Sequence, residues 1–180
     1  MQRIAFLFFL VLVLALASVS VSTADTATAV PTANLTNPEI AALLYMREEE
    51  KLAHDVYVTL ATTWTLPTFR NIAQAEQRHM DAVQVLLDRY GLADPAAGHG
   101  VGVFTDPTLQ ALYDQLVAQG QLSLADALRV GEAIEAADIA DLTAHIGETA
   151  QADIKTVFTN LKRGSESHLQ AFQSQLQRFS

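Results

Sequence analysis

Apolar residues recur along this chain in four long stripes with the three-and-four spacing of helices, and a polar residue interrupts each stripe. The first stripe reads Leu43, Met46, Glu50, Ala53, Tyr57 and Leu60. The second reads Ile72, Glu76, His79, Val83, Leu86 and Tyr90. The third is Leu128, Gly131, Glu135, Asp138 and Leu142, and the fourth is Ile154, Val157, Leu161, Ser165, His168 and Phe172.

Punctuation sets the bounds. Asn37-Pro38-Glu39 predicts a helix start, with Asn37 as cap, Pro38 at the first position and an acid in the first turn; this helix runs to about Thr62. A second helix restarts at Thr65-Leu66-Pro67 and runs to Tyr90, with Gly91 past its end. Residues 91–106 form a long connection with four Gly and no clear period. Asp106-Pro107 opens a short helix closed by Gly120. Ser123 and Asp126 resemble a capping box before a third long helix that ends near Gly147, and a fourth begins near Thr149. Val101–Phe104 is the one β-like scrap. The expected fold is all-α: a four-helix bundle. Short loops join antiparallel neighbours, and a long crossover lets the second and third long helices run in the same direction.

The polar interruptions carry the candidate chemistry. Glu76 and His79 lie one turn apart on one helix face, so both can reach one ion. Alone, Glu-x-x-His is a weak signal; on a buried stripe beside three other interrupted stripes it becomes strong. The expected metal ligands are Glu50, Glu76, His79, Glu135, Asp138 and His168. Buried unpaired carboxylates are too costly to keep, and four together repel. Two divalent ions would balance them, and carboxylate with imidazole suits Fe, Mn or Zn better than Ca or Mg. The stripe selects Glu50 over Glu48 and Glu49, and Glu135 over Glu132. Tyr57 reads as packing or as a hydrogen-bonding neighbour of the centre. His54 and Asp55 fall off the stripe, while His99 and His145 read as structural or surface residues.

Other features narrow the classes. Arg3, the apolar run Ile4–Ala17 and Ser22-Thr23-Ala24 give the pattern of a secretory signal peptide over 1–24. A Thr- and Ala-rich leader follows over 25–36, and the domain occupies 37–180. The expected location is therefore exported, periplasmic or extracellular, with no stable membrane span once the signal is removed. With no Cys, neither a lipoprotein anchor nor a disulfide is available. A net charge of −9 argues against nucleic acid as a partner. No glycine loop suggests a nucleotide, and no Ser or Cys stands out as a nucleophile. The expected partners are metal ions and small oxidants; nothing in the sequence indicates a homo-oligomer.

The residues also carry a resemblance. Glu50-x-x-Ala53-x-x-x-Tyr57 resembles the first-helix pattern of rubrerythrins, and Glu76-x-x-His79 looks like the Glu-x-x-His of ferritin-like di-iron proteins. Three longer phrases, Met46–Ala53, Glu76–Val83 and Gly164–Phe172, resemble a prokaryotic ferritin-like family known as a domain of unknown function. The resemblance covers about 38–178 and implies a ferritin-like bundle with a di-metal centre. The chain departs from the pattern at Ser165, where the fourth helix should offer a second Glu; Asp138 is the expected compensation. The expected activity is redox chemistry with Fe(II), O₂ or peroxide. The alternatives are a metal buffer without turnover and a non-catalytic interaction module whose polar residues fix helix register.

Overall fold

The computed structural model describes residues 35–179, so the signal peptide expected over 1–24 and most of the leader lie outside the described residues. Among the described residues the chain is all-helical, with five helices and no strand: α1 Asn37–Thr63, α2 Pro67–Tyr90, α3 Pro107–Gly120, α4 Leu124–Glu148 and α5 Ala152–Arg178. No helix among them is long and apolar enough to cross a membrane.

The expected bounds hold to within a few residues, and the caps explain the shifts. Thr36, not Asn37, caps α1: its hydroxyl accepts from the Glu39 amide while the Glu39 side chain accepts from the Thr36 amide. Ser123 caps α4 as expected. Gly91 closes α2 at φ 65°, a conformation that favours glycine. Thr149 does not start the last helix; it caps the end of α4, and α5 begins three residues later behind Gln151. Val101–Phe104 is turn and irregular chain rather than strand.

Two apolar clusters hold the helices together. One joins the start of α1 (Leu43, Met46) to the end of α2 (Val83, Leu86, Leu87), the end of α4 (Leu142) and the start of α5 (Ile154, Phe158). The other joins the far halves: Val56 and Leu60 of α1, Phe69 and Ile72 of α2, Leu128 and Ile134 of α4, and Phe172 of α5. Membership fixes direction. The ends of α2 and α4 meet in the same cluster, so these two helices run the same way, and α1 and α5 run opposite to both. The helix α3 packs against α1 and α4 and adds Leu109 and Leu116 to the second cluster. Trp64 donates its indole N–H to the Gly120 carbonyl at 2.9 Å, tying the α1–α2 turn to the end of α3.

The connection 91–106 is riveted to α1. Arg47 makes a two-pronged ion pair with Asp94, both contacts at 3.0 Å. Glu48 accepts from the Thr105 amide, Lys51 donates to the Gly100 carbonyl, and Asp55 accepts from the Gly102 amide. Lys51 also pairs with Asp55 and lies 4.5 Å above the Phe104 ring. Asp55 is therefore buried, which corrects the expectation that it lies off the packed face. Burial alone would push its carboxyl up, but His54, Lys51 and the Gly102 amide hold it below its ordinary value.

Candidate metal centre

Between the two apolar clusters the interior is polar. Four helices reach into this layer: α1 with Glu50, α2 with Glu76 and His79, α4 with Glu135 and Asp138, and α5 with His168. Each residue sits there because the apolar neighbours on its stripe are drawn inward. On α2, for instance, Ile72 and Val83 are buried, so the helical period turns Glu76 inward between them. Glu50, Glu76 and Glu135 are at most 2% exposed, and Asp138 is 5% exposed.

The ligand-type atoms form two triads, Glu50–Glu76–His79 and Glu76–Glu135–His168, each with one atom per residue within 4.8 Å of the others. Glu76 belongs to both and divides its oxygens between them. Its Oε2 lies 2.8 Å from His79 Nδ1, and its Oε1 lies 2.7 Å from His168 Nδ1. His79 Nδ1 is also 3.1 Å from Glu50 Oε2, and His168 Nδ1 is 3.6 Å from Glu135 Oε2. The two imidazoles stack at 5.5 Å between ring centroids. Behind the second triad, the Tyr57 hydroxyl donates to Glu135 Oε1 at 2.7 Å, so Tyr57 both packs and hydrogen-bonds.

The electrostatics follow from crowding and burial. Burial pushes Glu50 up to about 7, with His79 opposing and Glu76 adding. Burial likewise pushes Glu135 up to about 8. Glu76 differs: burial would raise it, but His168 and His79 together hold it at about 2. Burial would lower the imidazoles, yet Glu50 and Glu76 raise His79 to about 11, while Glu135 and Glu76 raise His168 to about 9. Protons and a cation would therefore compete for this cluster, and binding a cation among these groups would displace protons.

The donor set fits such a cation. Glu50 Oε1, Glu76 Oε1, Asp138 Oδ1 and His168 Nδ1 are buried without a hydrogen-bond partner. His168 Nδ1 and Glu76 Oε1 are close but lack the angles of a hydrogen bond, so proximity does not satisfy them. Buried polar atoms left this way are costly, and a shared positive ion is one remedy.

Five of the six expected ligands fall in the triads; Asp138 does not. It lies beside Ser165 and the charges of Glu50 and Glu76, and burial, with Glu50 adding, pushes its carboxyl well up. Ser165 is buried at the position where a second Glu was expected, and its hydroxyl donates to the Leu161 carbonyl at 3.1 Å. Glu132 is only half-buried, so Glu135 is the inward acid, as the stripe indicates. His54 pairs with Asp55 away from the triads, His145 pairs with Glu148, and His99 is exposed.

The stripe misjudged Glu48 and Glu49. Both are buried, Glu48 under the 91–106 connection and Glu49 against α4. Every residue from Met46 to Ala53 is buried, because α1 is covered on several sides. A one-faced pattern cannot register that; the only hint was Arg47, Lys51 and Asp55 recurring every four residues before a long glycine-rich connection. Gly164 was also missed as a site residue. A Cβ there would lie 2.5 Å from His79 Nε2, so the absent side chain makes room for the ring.

Fold and centre together define a class: an all-helical protein with two overlapping carboxylate–histidine triads buried at mid-height. Within that class, the chain belongs to the family described as "Uncharacterized protein domain (DUF2202)", matched over residues 39–179. It is 48% identical over 145 residues to "Uncharacterized protein MJ0754" of Methanocaldococcus jannaschii, covering 81% of this chain and 78% of that one. It is likewise similar to the crystal structure of hypothetical protein MJ0754 from Methanococcus jannaschii, with TM-score 0.80 and 46% identity over 84% of this chain and 87% of that one. The resemblance to a family known as a domain of unknown function is thereby shown, while the tie to rubrerythrins rests on motifs alone.

Proposed function

We propose that this chain is a ferritin-like metalloprotein that holds two divalent ions, iron or manganese before zinc, in the paired triads. The observation that carries the reading is the division of Glu76: one oxygen serves His79 and Glu50, the other serves His168. A hydrogen-bond network does not need one carboxylate centred between two equivalent acid–imidazole sets; a pair of cations does. The shared direction of α2 and α4, and the long connection before α4, support the ferritin-like bundle.

In this reading Glu50 and His79 hold one ion, Glu135 and His168 hold the other, and Glu76 lies between them. Asp138, the expected compensation for Ser165, stands near as a further carboxylate outside the two triads. Iron or manganese at such a site supplies one-electron chemistry toward Fe(II) oxidation, O₂ or peroxide. The protein's own contribution is to keep the layer dry between two apolar clusters, to hold charge with carboxylates and to orient Glu135 through Tyr57. With the sequence over 1–24 read as a signal peptide, the protein would work outside the cytoplasm, in the periplasm or beyond the cell.

The test is metal analysis of protein purified without chelator, followed by Fe(II) and O₂ under an optical spectrometer. About two ions per chain, with an absorbance change on oxidation, is expected. Metal-free protein that stays colourless with iron and oxygen would refute the reading.

A further inference from the structure

The triads lie in the interior, so an ion must cross packed helices to reach them. On α4 the acids Glu135, Asp138 and Asp141 recur every three residues, each step rising about 4.5 Å and turning about 60° from the buried side toward the helix edge. Exposure increases along the row: Glu135 is 1% exposed, Asp138 is 5% exposed, and Asp141 is half-buried. Across from it α1 contributes Glu49, 7% exposed, immediately before the triad residue Glu50. The Glu49 carboxyl feels the charges of Asp138, Asp141 and Glu50.

Two oxygens of this row lack partners. Glu49 Oε2 and Asp138 Oδ1 are buried and accept no hydrogen bond, and neither residue forms an ion pair among the described residues. Other buried charges of α1 have a countercharge or an amide partner: Arg47 pairs with Asp94 through Nε and Nη2, though its Nη1 is left over, and Glu48, Lys51 and Asp55 are held by the 91–106 connection or by each other. Two buried acid oxygens without partners, beside the centre, are not explained by riveting the fold. Tyr45, 39% exposed and one helical turn before Glu49, stands near the outer end and feels the charges of Glu49 and Asp141.

We propose that Glu49, Asp138 and Asp141 form a cation passage between α1 and α4, which hands a divalent ion from the surface to the Glu50–Glu76–Glu135 centre. The inference rests on the two-ion reading of the triads. Asp141 collects the hydrated ion, Glu49 and Asp138 replace its lost water with their free oxygens, and the triads outbid them by adding imidazole nitrogen. Without nitrogen and without a closed ligand set, the passage holds an ion only in transit.

The test is stopped-flow loading of the full-length, metal-free protein with cobalt(II), read by the absorbance of the bound ion. The variants are Glu49→Gln, Asp141→Asn and Asp141→Lys, with Asp88→Asn on the exposed face of α2 as a control for net charge. Loading should slow by about tenfold or more in Asp141→Lys and also slow in Glu49→Gln, with the final amount of cobalt unchanged. Asp88→Asn should load like the wild-type chain. Circular dichroism checks folding; should Glu49→Gln misfold, half-buried Asp141 carries the test alone. Asp141→Lys loading at the control rate would overturn the passage and leave the centre standing. A lower final cobalt content would also overturn it, since the acids would then be ligands rather than a route. A wild-type chain that takes up no cobalt would instead refute the centre, and the passage with it.

Discussion

The imidazole of His79 on α2 rests against the backbone of Gly164 on α5, where an added Cβ would fall 2.5 Å from Nε2 and 2.7 Å from Cε1. The other side of the ring is fixed, because Nδ1 is drawn to Glu50 and Glu76. By helix propensity alone, replacing a mid-helix glycine with alanine should stabilise the protein by about 1 kcal/mol. Here the methyl has nowhere to go, and overpacking costs about 1–3 kcal/mol.

Gly164→Ala should therefore melt at or below the wild-type temperature and lose metal affinity by about 10- to 100-fold, the usual cost of disturbing a ligand's support. Thermal unfolding and metal titration measure both. A variant that is more stable and binds metal as before would show that the ring has slack the structure does not reveal.

Tyr57 and Glu135 give a second handle. The phenol donates at 2.7 Å to a carboxyl oxygen in the buried layer, while its ring packs against Phe69 and Phe172. Tyr57→Phe keeps the packing and removes only the donor. The expected loss is about 1–3 kcal/mol, the cost of leaving a buried acceptor without its donor. Equilibrium denaturation decides, and no change in stability would mean that Glu135 finds another donor.

Glu39 offers a pH test remote from the centre. It accepts from the amide and hydroxyl of Thr36 through one oxygen, and from the Thr149 hydroxyl and Ala150 amide through the other. The backbone hydrogen bond from Thr36, joined by the Thr149 hydroxyl, holds its carboxyl at about 2 instead of its ordinary 4.5. A lowered carboxylate contributes stability that is complete above pH 4.5 and is lost as the pH falls toward 2. Glu39→Gln should therefore be less stable than wild type at neutral pH, and the gap should narrow across that window. Urea denaturation at several pH values measures the gap; one that stays constant from pH 6 to 2.5 contradicts the assignment.

Much of this was legible beforehand. The four stripes, the long connection and the short helix α3 follow from periodicity and from Pro and Gly punctuation, because an amphipathic helix must bury its apolar face. Six ligand candidates emerged the same way, as polar residues on faces that had to turn inward, and five of them meet in the triads. The caps were less clear: Thr36 and Asn37 are both good caps, and only the reciprocal bonds with Glu39 choose between them.

The sequence by itself determined which residues face inward on each helix, and so which acids and imidazoles could meet. Tertiary structure alone decided what they meet. It divided the Glu76 oxygens between two triads, left Asp138 outside them, and set Gly164 against His79. It also buried Glu49 and Asp55, because α1 is covered by α4 and by the 91–106 connection as well as by α2. The physical reason is that a helical period reports one partner's direction, whereas burial on the remaining sides depends on segments far away in the chain.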